Sequence, residues 1–404
     1  MLMASALQSP AILRSILDTD LYKLTMQQAV LRHYPSIESK YCLSTRFTDV
    51  VFSRQCFNRF CDSLARSRFP DLYLTTSERS WLENVCPWFS CEYLDYLSSF
   101  RFKSEHVSTT FVPSTKDPSK GQIELEINGP WVECILWEVP LMALLNETYF
   151  SIDDTDWSYD GQKDIAFRKG MDLFDAGCSL FEYGTRRRRS FVTQDLVVQG
   201  LVYLAYRYNL APVGTIAHEW FMAVGAIEGY KHVDEIALRL WEEVYPDCPS
   251  LLVALTDTFS SEAFFSEMLP NSKFLESWTG LQQDSGDPFL FAPRVKDSYA
   301  QLGIDHRKKT LMYSDSLNTN KALKLREQCD GLGFKNISFA IGTFLTNDFR
   351  TRSSQFKEIS EALIIVIKLR SIGGMPCVKL SDDPTKNSGD ESAVARVKRE
   401  LGLG

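Results

Sequence analysis

Histidine is scarce in this chain, five in 404 residues, and one of the five stands in a setting that suits chemistry. In the stretch APVGTIAHEW, Ala211 to Trp220, apolar residues give way to polar ones, as where a strand runs into a loop. Gly214 and Thr215 supply a turn and a hydroxyl just before His218, and Trp220, Val224 and Ile227 follow at helical spacing. The imidazole therefore belongs at a helix entrance, where exposed N–H groups favour anions and a histidine could carry or handle a phosphoryl group. A packed or surface imidazole is the ordinary alternative for a lone histidine.

The densest basic run, FEYGTRRRRS from Phe181 to Ser190, lies in an otherwise acidic chain. Arg186 follows the turn-forming pair Gly184 and Thr185, a position from which a guanidinium can grip a phosphate or diphosphate bidentately. Tyr183 could stack against a flat ring beside it. Arg188 and Arg189 read as a solvated charged face, and nuclear targeting is a third use of such a run. Three strand ends carry aspartate, at Asp257, at Asp284 and at Asp315. One such aspartate is commonly a cap or turn former. Three together suit the vicinal hydroxyls of a sugar and a Mg2+ that neutralises a diphosphate. Ser314 precedes the third, and Gly342 with Thr343 closes ISFAIGT, offering N–H groups and a hydroxyl to a terminal phosphate.

The elements that must position these groups follow from periodicity. A helix is expected over Ile12 to Tyr34, capped by Asp18 or Thr19, then a strand from Glu38 to Phe47 and three amphipathic helices up to Phe100. Alternation in Val107 to Val112 and in Gly121 to Ile127 predicts a half-buried hairpin. The Gly-Pro break near Asn128 to Trp131 marks a boundary, and an apolar helix follows from Cys134 to Phe150. Beyond it, CSLFEYGTRR, APVGTIAHE, LLVALTDTF, TLMYSDSLN and ISFAIGTFLTND read as strands with polar C-terminal ends, separated by helices such as Val233 to Val244 and Thr319 to Cys329. A β/α barrel produces that recurrence, with its site at one end of the parallel strands. A doubly wound open sheet is the alternative. The domains expected are an α+β unit over 1–130, completed by 371–404, and a catalytic barrel over 131–370.

Hydrophobic residues make up 44% of the chain and charged residues 24%, enough for a sizeable core. A net charge of −8 argues against general affinity for nucleic acid or anionic membrane, and no apolar run is long enough to span a bilayer. Ten cysteines without paired CxxC spacing, and no basic-then-apolar leader, suggest reduced thiols in the cytoplasm or nucleus.

These residues together resemble the nicotinate phosphoribosyltransferases, in their fungal and bacterial form. DTDLYKLTMQQAVL at Asp18 to Leu31, ILWEVPLMALLNE at Ile135 to Glu147, EYGTRRRRS, GTIAHEW, ALTDTF, QDSGDP, YSDSLN, IGTFLTNDF and VKLSDD carry the resemblance in order along the chain. It implies an irregular β/α barrel of the type II phosphoribosyltransferase kind joined to an α+β domain. It further implies a ligase of NAD salvage that joins nicotinate to phosphoribosyl pyrophosphate, with ATP as co-substrate, Mg2+ and a phosphohistidine. Carried onto this sequence, His218 is the phosphorylated histidine, with Asp257 and Asp284 facing ribose and metal. Tyr22, Tyr183, Thr215 and Gln282 contact nicotinate, Tyr22 reaching in from the other subunit of a homodimer with shared sites. Arg46, Arg186, Ser314, Asp315, Gly342 and Thr343 hold the phosphoribosyl pyrophosphate. The chain departs from the family at two places: Gln282 stands where relatives carry arginine, and a loop, strand and Gly-Thr-Ser-Asn motif are missing between Gly200 and Leu201.

Overall fold

The computed structural model describes residues 13–45, 50–66, 69–197, 206–207, 211–270 and 272–403. Arg46 and the junction of Gly200 with Leu201 lie outside them. The described residues build two large sheets and one two-stranded pairing around an apolar core that crosses the expected boundary near residue 130 without a break. Trp131 and Trp220, stacked with ring centroids 6.0 Å apart, are part of that crossing.

The first helix, Leu21–His33, is buried along most of its length although it carries Lys23, Thr25, Gln27 and Gln28. Its polar side chains are matched: Gln27 donates to the Val132 carbonyl at 2.8 Å and accepts from the Tyr93 hydroxyl at 2.9 Å. Such matching is what lets a polar helix occupy a core. The helix starts later than its periodicity suggests. Its first flanking residue is Asp20, which makes no capping bond, while Asp18 is drawn away to Arg188 at 2.7 Å.

The antiparallel sheet uses strands β1 (Glu38–Thr45), β2 (Phe52–Ser53), β3 (Val107–Pro113) and β4 (Lys120–Pro130). The hairpin of β3 and β4 pairs Val107 with Ile127 and Pro113 with Gly121. Two strands from far along the chain, β12 (Ile365–Ile372) and β13 (Met375–Pro376), complete the order β13-β12-β1-β4-β2. The return therefore begins at Ile365, ahead of the boundary expected at 371, because the apolar run Ile365–Ile367 is consumed by pairing with Leu43–Thr45.

The second sheet is parallel: β5 (Ser179–Glu182), β9 (Asn336–Ile341), β8 (Thr310–Tyr313), β7 (Gly280–Gln283) and β6 (Val253–Leu255), in that order. Helices 261–268, 288–301 and 319–332 make the crossovers that parallel neighbours require. The first strand pairs with the last, as in a barrel, but β5 and β6 are not paired with each other among the described residues. The strand expected at 211–217 is not one. Pro212 lacks a donor, the Thr215 carbonyl accepts instead from Thr25 Oγ1 at 3.0 Å, and a Cβ on Gly214 would come within 2.7 Å of the Tyr22 backbone nitrogen. The first helix thus braces this segment from the side. The small pairing of β10 (Phe349–Arg350) with β11 (Ile359–Ser360) lies beyond β9. No described helix is long and apolar enough to cross a membrane.

Candidate active site

The ends of the parallel strands and the braced segment 211–217 surround a cavity of about 520 Å3. His218 opens the helix His218–Glu228, as the apolar spacing after it suggested. Its Nδ1 lies 3.0 Å from Thr258 Oγ1, just past β6, and its Nε2 lies 3.0 Å from Asp284 Oδ2, just past β7. Both ring nitrogens are therefore fixed by groups on neighbouring strand ends. Ser314, after β8, donates to the other oxygen of Asp284 at 2.7 Å. Burial works against charge on Asp284, yet His218, with Lys379 and Ser314, holds its carboxyl far below the usual range.

Asp257 lies under this layer. It is fully buried, accepts a hydrogen bond from Ser285, and burial raises its carboxyl against the pull of His218 and Lys379. One of its oxygens, Oδ1, has no hydrogen-bond partner among the described residues. Ligand atoms of His218, Asp257 and Asp284 all fall within 4.8 Å of one another. Two hard carboxylates, one with an unmatched buried oxygen, fit a divalent cation such as Mg2+.

Tyr22 and Tyr183 form the walls, their rings near parallel at 16° with centroids 6.2 Å apart. One chain supplies both. That corrects the expectation that Tyr22 reaches a neighbouring subunit's site: the first helix packs on segment 211–217 of its own chain, so Tyr22 reaches its own pocket. Thr215 and Gln282 lie between the walls and the floor. Gln282 donates to Ser314 Oγ at 3.0 Å and accepts a long bond of 3.5 Å from Thr215.

Cations frame the remainder. Arg186 lines the cavity and pairs with Glu138 at 3.2 Å. Beneath it the fully buried Lys23 bridges Glu138 at 2.6 Å and Glu219 at 2.5 Å, and Trp131 Nε1 donates to Glu219 at 2.8 Å. The neighbour of His218 is thus tied to the partner of Arg186 through one ammonium. Two further lysines arrive from the end of the chain. Lys379 Nζ lies 2.8 Å from His218 Nε2, while Lys386 pairs with Asp315 and donates to the Asp284 carbonyl at 3.1 Å. Asp382 anchors the segment between them, accepting from the Ser261 backbone at 2.7 Å.

The cavity lining thus gathers Tyr22, Tyr183, Arg186, Thr215, His218, Gln282, Asp284, Ser314, Asp315, Gly342 and Thr343. Arg46 is outside the described residues. The other arginines of the basic run correct the idea of a solvated face. Arg188 is buried between Asp18 at 2.7 Å and Glu147 at 2.8 Å, and Arg189 lies over the Phe150 ring at 3.7 Å with both terminal nitrogens bound to Ser360. Sequence reasoning gave no role to Lys379, Lys386, Lys23 or Glu138. The first two stand in VKLSDD and the loop just after it, a Pro- and Asp-rich stretch between short apolar runs, which is the signal that was available.

The chain is similar to known proteins over nearly its whole length. Residues 178–404 match the Nicotinate phosphoribosyltransferase (NAPRTase) family, and residues 17–146 match the N-terminal domain of that family. The nicotinate phosphoribosyltransferase of Methanosarcina mazei is 39% identical, covering 95% of this chain and 97% of its own. That of Saccharomyces cerevisiae is 35% identical over 98% of this chain and 96% of its own. A crystal structure of a nicotinate phosphoribosyltransferase from Saccharomyces cerevisiae superposes with a TM-score of 0.92 at 33% identity, covering 98% of this chain and all of that one.

Proposed function

The chain belongs to the nicotinate phosphoribosyltransferase family, and on that premise we propose that its cavity joins nicotinate to phosphoribosyl pyrophosphate in the salvage of NAD, driven by ATP. The observation that carries the reading is His218 at a helix entrance, its ring nitrogens held by Thr258 and Asp284, on the floor of a pocket walled by two parallel tyrosines. A flat ring between Tyr22 and Tyr183 would face the site of an anionic sugar phosphate framed by Arg186, Lys379 and Lys386.

In the transfer step the pyridine nitrogen attacks the anomeric carbon, the bond from that carbon to pyrophosphate breaks, and its electron pair leaves with pyrophosphate. Charge builds up positively on the ribose and negatively on the leaving group, so fixed cations and exact placement do most of the work. Arg186, kept in place by Glu138 and Lys23, suits the diphosphate. Ser314, Asp315, Gly342 and Thr343 suit the sugar phosphate. Mg2+ would be held by Asp257 and Asp284 and would offset the diphosphate charge.

In the coupled step His218 takes the γ-phosphoryl group of ATP, ADP departs, and water later releases phosphate from the ring. Nε2 faces both a carboxylate and an ammonium, so its proton is favoured by Asp284 and its lone pair by Lys379. The lone-pair state is the nucleophilic one, and the ammonium then lies beside the incoming phosphoryl oxygens. Tyr22, Tyr183 and His218 of one chain line the same pocket, so in an active homodimer each chain would supply its own walls and floor. Ten free cysteines support a cytoplasmic setting, with the nucleus as a further location.

Turnover of the purified protein with phosphoribosyl pyrophosphate and either nicotinate or nicotinamide, with and without ATP and Mg2+, tests the reading. Nicotinate mononucleotide should form with nicotinate, fastest when ATP and Mg2+ are both present. Turnover of nicotinamide alone, or of neither base, would overturn it.

A further inference from the structure

A buried junction of hydrogen bonds lies beside both tyrosine walls in sequence. Sandwiching a flat ring takes two van der Waals gaps, about 7 Å between outer planes. The Tyr22 and Tyr183 centroids are 6.2 Å apart, which bounds the gap between their planes from above, so the walls must part by about one ångström or more before a flat ring fits between them. What fixes the walls therefore bears on what the pocket takes.

Gln194, in the short helix Phe191–Val197, has no exposed surface and does not line the cavity. Its amide uses one acceptor and both donor hydrogens. Oε1 accepts from Arg188 at 3.0 Å, and Nε2 donates to Glu182 at 2.7 Å and to Thr185 Oγ1 at 2.8 Å. Arginine and a hydroxyl already spent as a donor assign the orientation of the amide. Each arm leads to a wall. Glu182 immediately precedes Tyr183. Thr185 donates its own hydroxyl hydrogen bond to Asp20 at 2.9 Å, and Asp20 lies two residues before Tyr22. Arg188 reaches the same approach a second time, through both oxygens of Asp18. Glu182, Thr185, Asp20 and Gln194 are all at most 1% exposed, so water cannot stand in for a lost partner.

We propose that Gln194 is a positioning residue that sets the separation of Tyr22 and Tyr183, and with it the affinity of the pocket for the pyridine ring; this rests on the reading of the cavity as a nicotinate site. It acts on the ring more directly than on the sugar phosphate, since of the groups suited to that phosphate Arg186 alone shares the turn of Thr185, while Ser314, Asp315, Gly342 and Thr343 are on other elements.

Calorimetric binding of nicotinate mononucleotide and of ribose 5-phosphate separates the two, without any need for turnover. In Gln194→Met, and in Thr185→Val, affinity for the nucleotide should fall roughly ten-fold while that for ribose 5-phosphate stays within about two-fold. Thr185→Ser, which keeps the hydroxyl, should restore nucleotide binding. If Gln194→Met does not fold, the Thr185 pair decides the matter. Equal losses for both ligands, or no loss for the nucleotide in a folded variant, would overturn the proposal. Wild-type protein that binds the nucleotide no more tightly than ribose 5-phosphate would instead remove the pyridine site itself, and the proposal with it.

Discussion

Lys379 Nζ lies 2.8 Å from His218 Nε2 across 161 residues of sequence, so the end of the chain delivers a charge to the histidine on the floor of the site. The segment that carries it is anchored by Asp382 to Ser261, at the start of the helix after β6. If the ammonium neutralises the phosphoryl group on His218, Lys379→Met should raise the KM for ATP and lower kcat/KM by roughly ten-fold or more. Steady-state kinetics with ATP varied give the answer, and unchanged ATP kinetics would exclude that role.

Gln282 should be a point where charge can be added with effect. The glutamine already reaches Ser314, and through it Asp284, but supplies no positive charge beside two anions. Gln282→Arg should raise transfer to nicotinate by roughly ten-fold, the worth of one charge-assisted contact, and lower any transfer to nicotinamide. A fall in nicotinate transfer in a folded variant would show that the neutral amide is the fitted residue.

Much of the site was legible because its residues occupy strand ends, where a polar cluster after an apolar run has a physical meaning. Ser314 and Gly342, which line the cavity, follow apolar runs in this way, whereas Asp284 follows Gln282 and Gln283. The start of the His218 helix was legible from Trp220, Val224 and Ile227, but the approach to it was not. A strand and a braced coil share the same apolar composition, and what separates them here is Thr25, almost two hundred residues away, taking the Thr215 carbonyl. Arg188 and Arg189 misled for a similar reason. A run of arginines reads as solvated until Asp18, Glu147 and Ser360 are known to converge on it. Lys379 and Lys386 were silent because a lysine in a polar tail carries no pattern, and their role depends on a return of the chain that only the tertiary fold shows.

The buried carboxyl of Glu182 should imprint a pH dependence on stability. Burial raises it from an ordinary 4.5 to about 8, against the hydrogen bond from Gln194. Between those values the native state holds a proton that the unfolded chain has lost. Stabilisation from the neutral form is thus full below about 4.5 and lost as pH rises through about 8, amounting to a few kcal/mol at most. Glu182→Gln removes the titration and also one of the two acceptor oxygens that serve Gln194 and the Gly184 N–H, so its melting temperature should be lower overall but flatter between pH 5 and 8. An unchanged slope in that variant would assign the pH dependence elsewhere.

Mixing inactive Tyr22→Ala with inactive His218→Ala should restore no activity, because each chain builds its own walls and floor. Subunit mixing under conditions that exchange any dimer, followed by the nicotinate assay, checks this. Recovery approaching a quarter of wild type would return Tyr22 to a neighbouring subunit's site.

In the proposed coupling, His218 carries the phosphoryl group that ties ATP to transfer. Incubation with γ-labelled ATP and Mg2+, followed by denaturation, should leave an acid-labile, base-stable label on the wild-type protein. That label should be discharged when nicotinate and phosphoribosyl pyrophosphate are added, and it should be absent from His218→Ala. Equal labelling of the alanine variant, or a label that persists through turnover, would contradict the account.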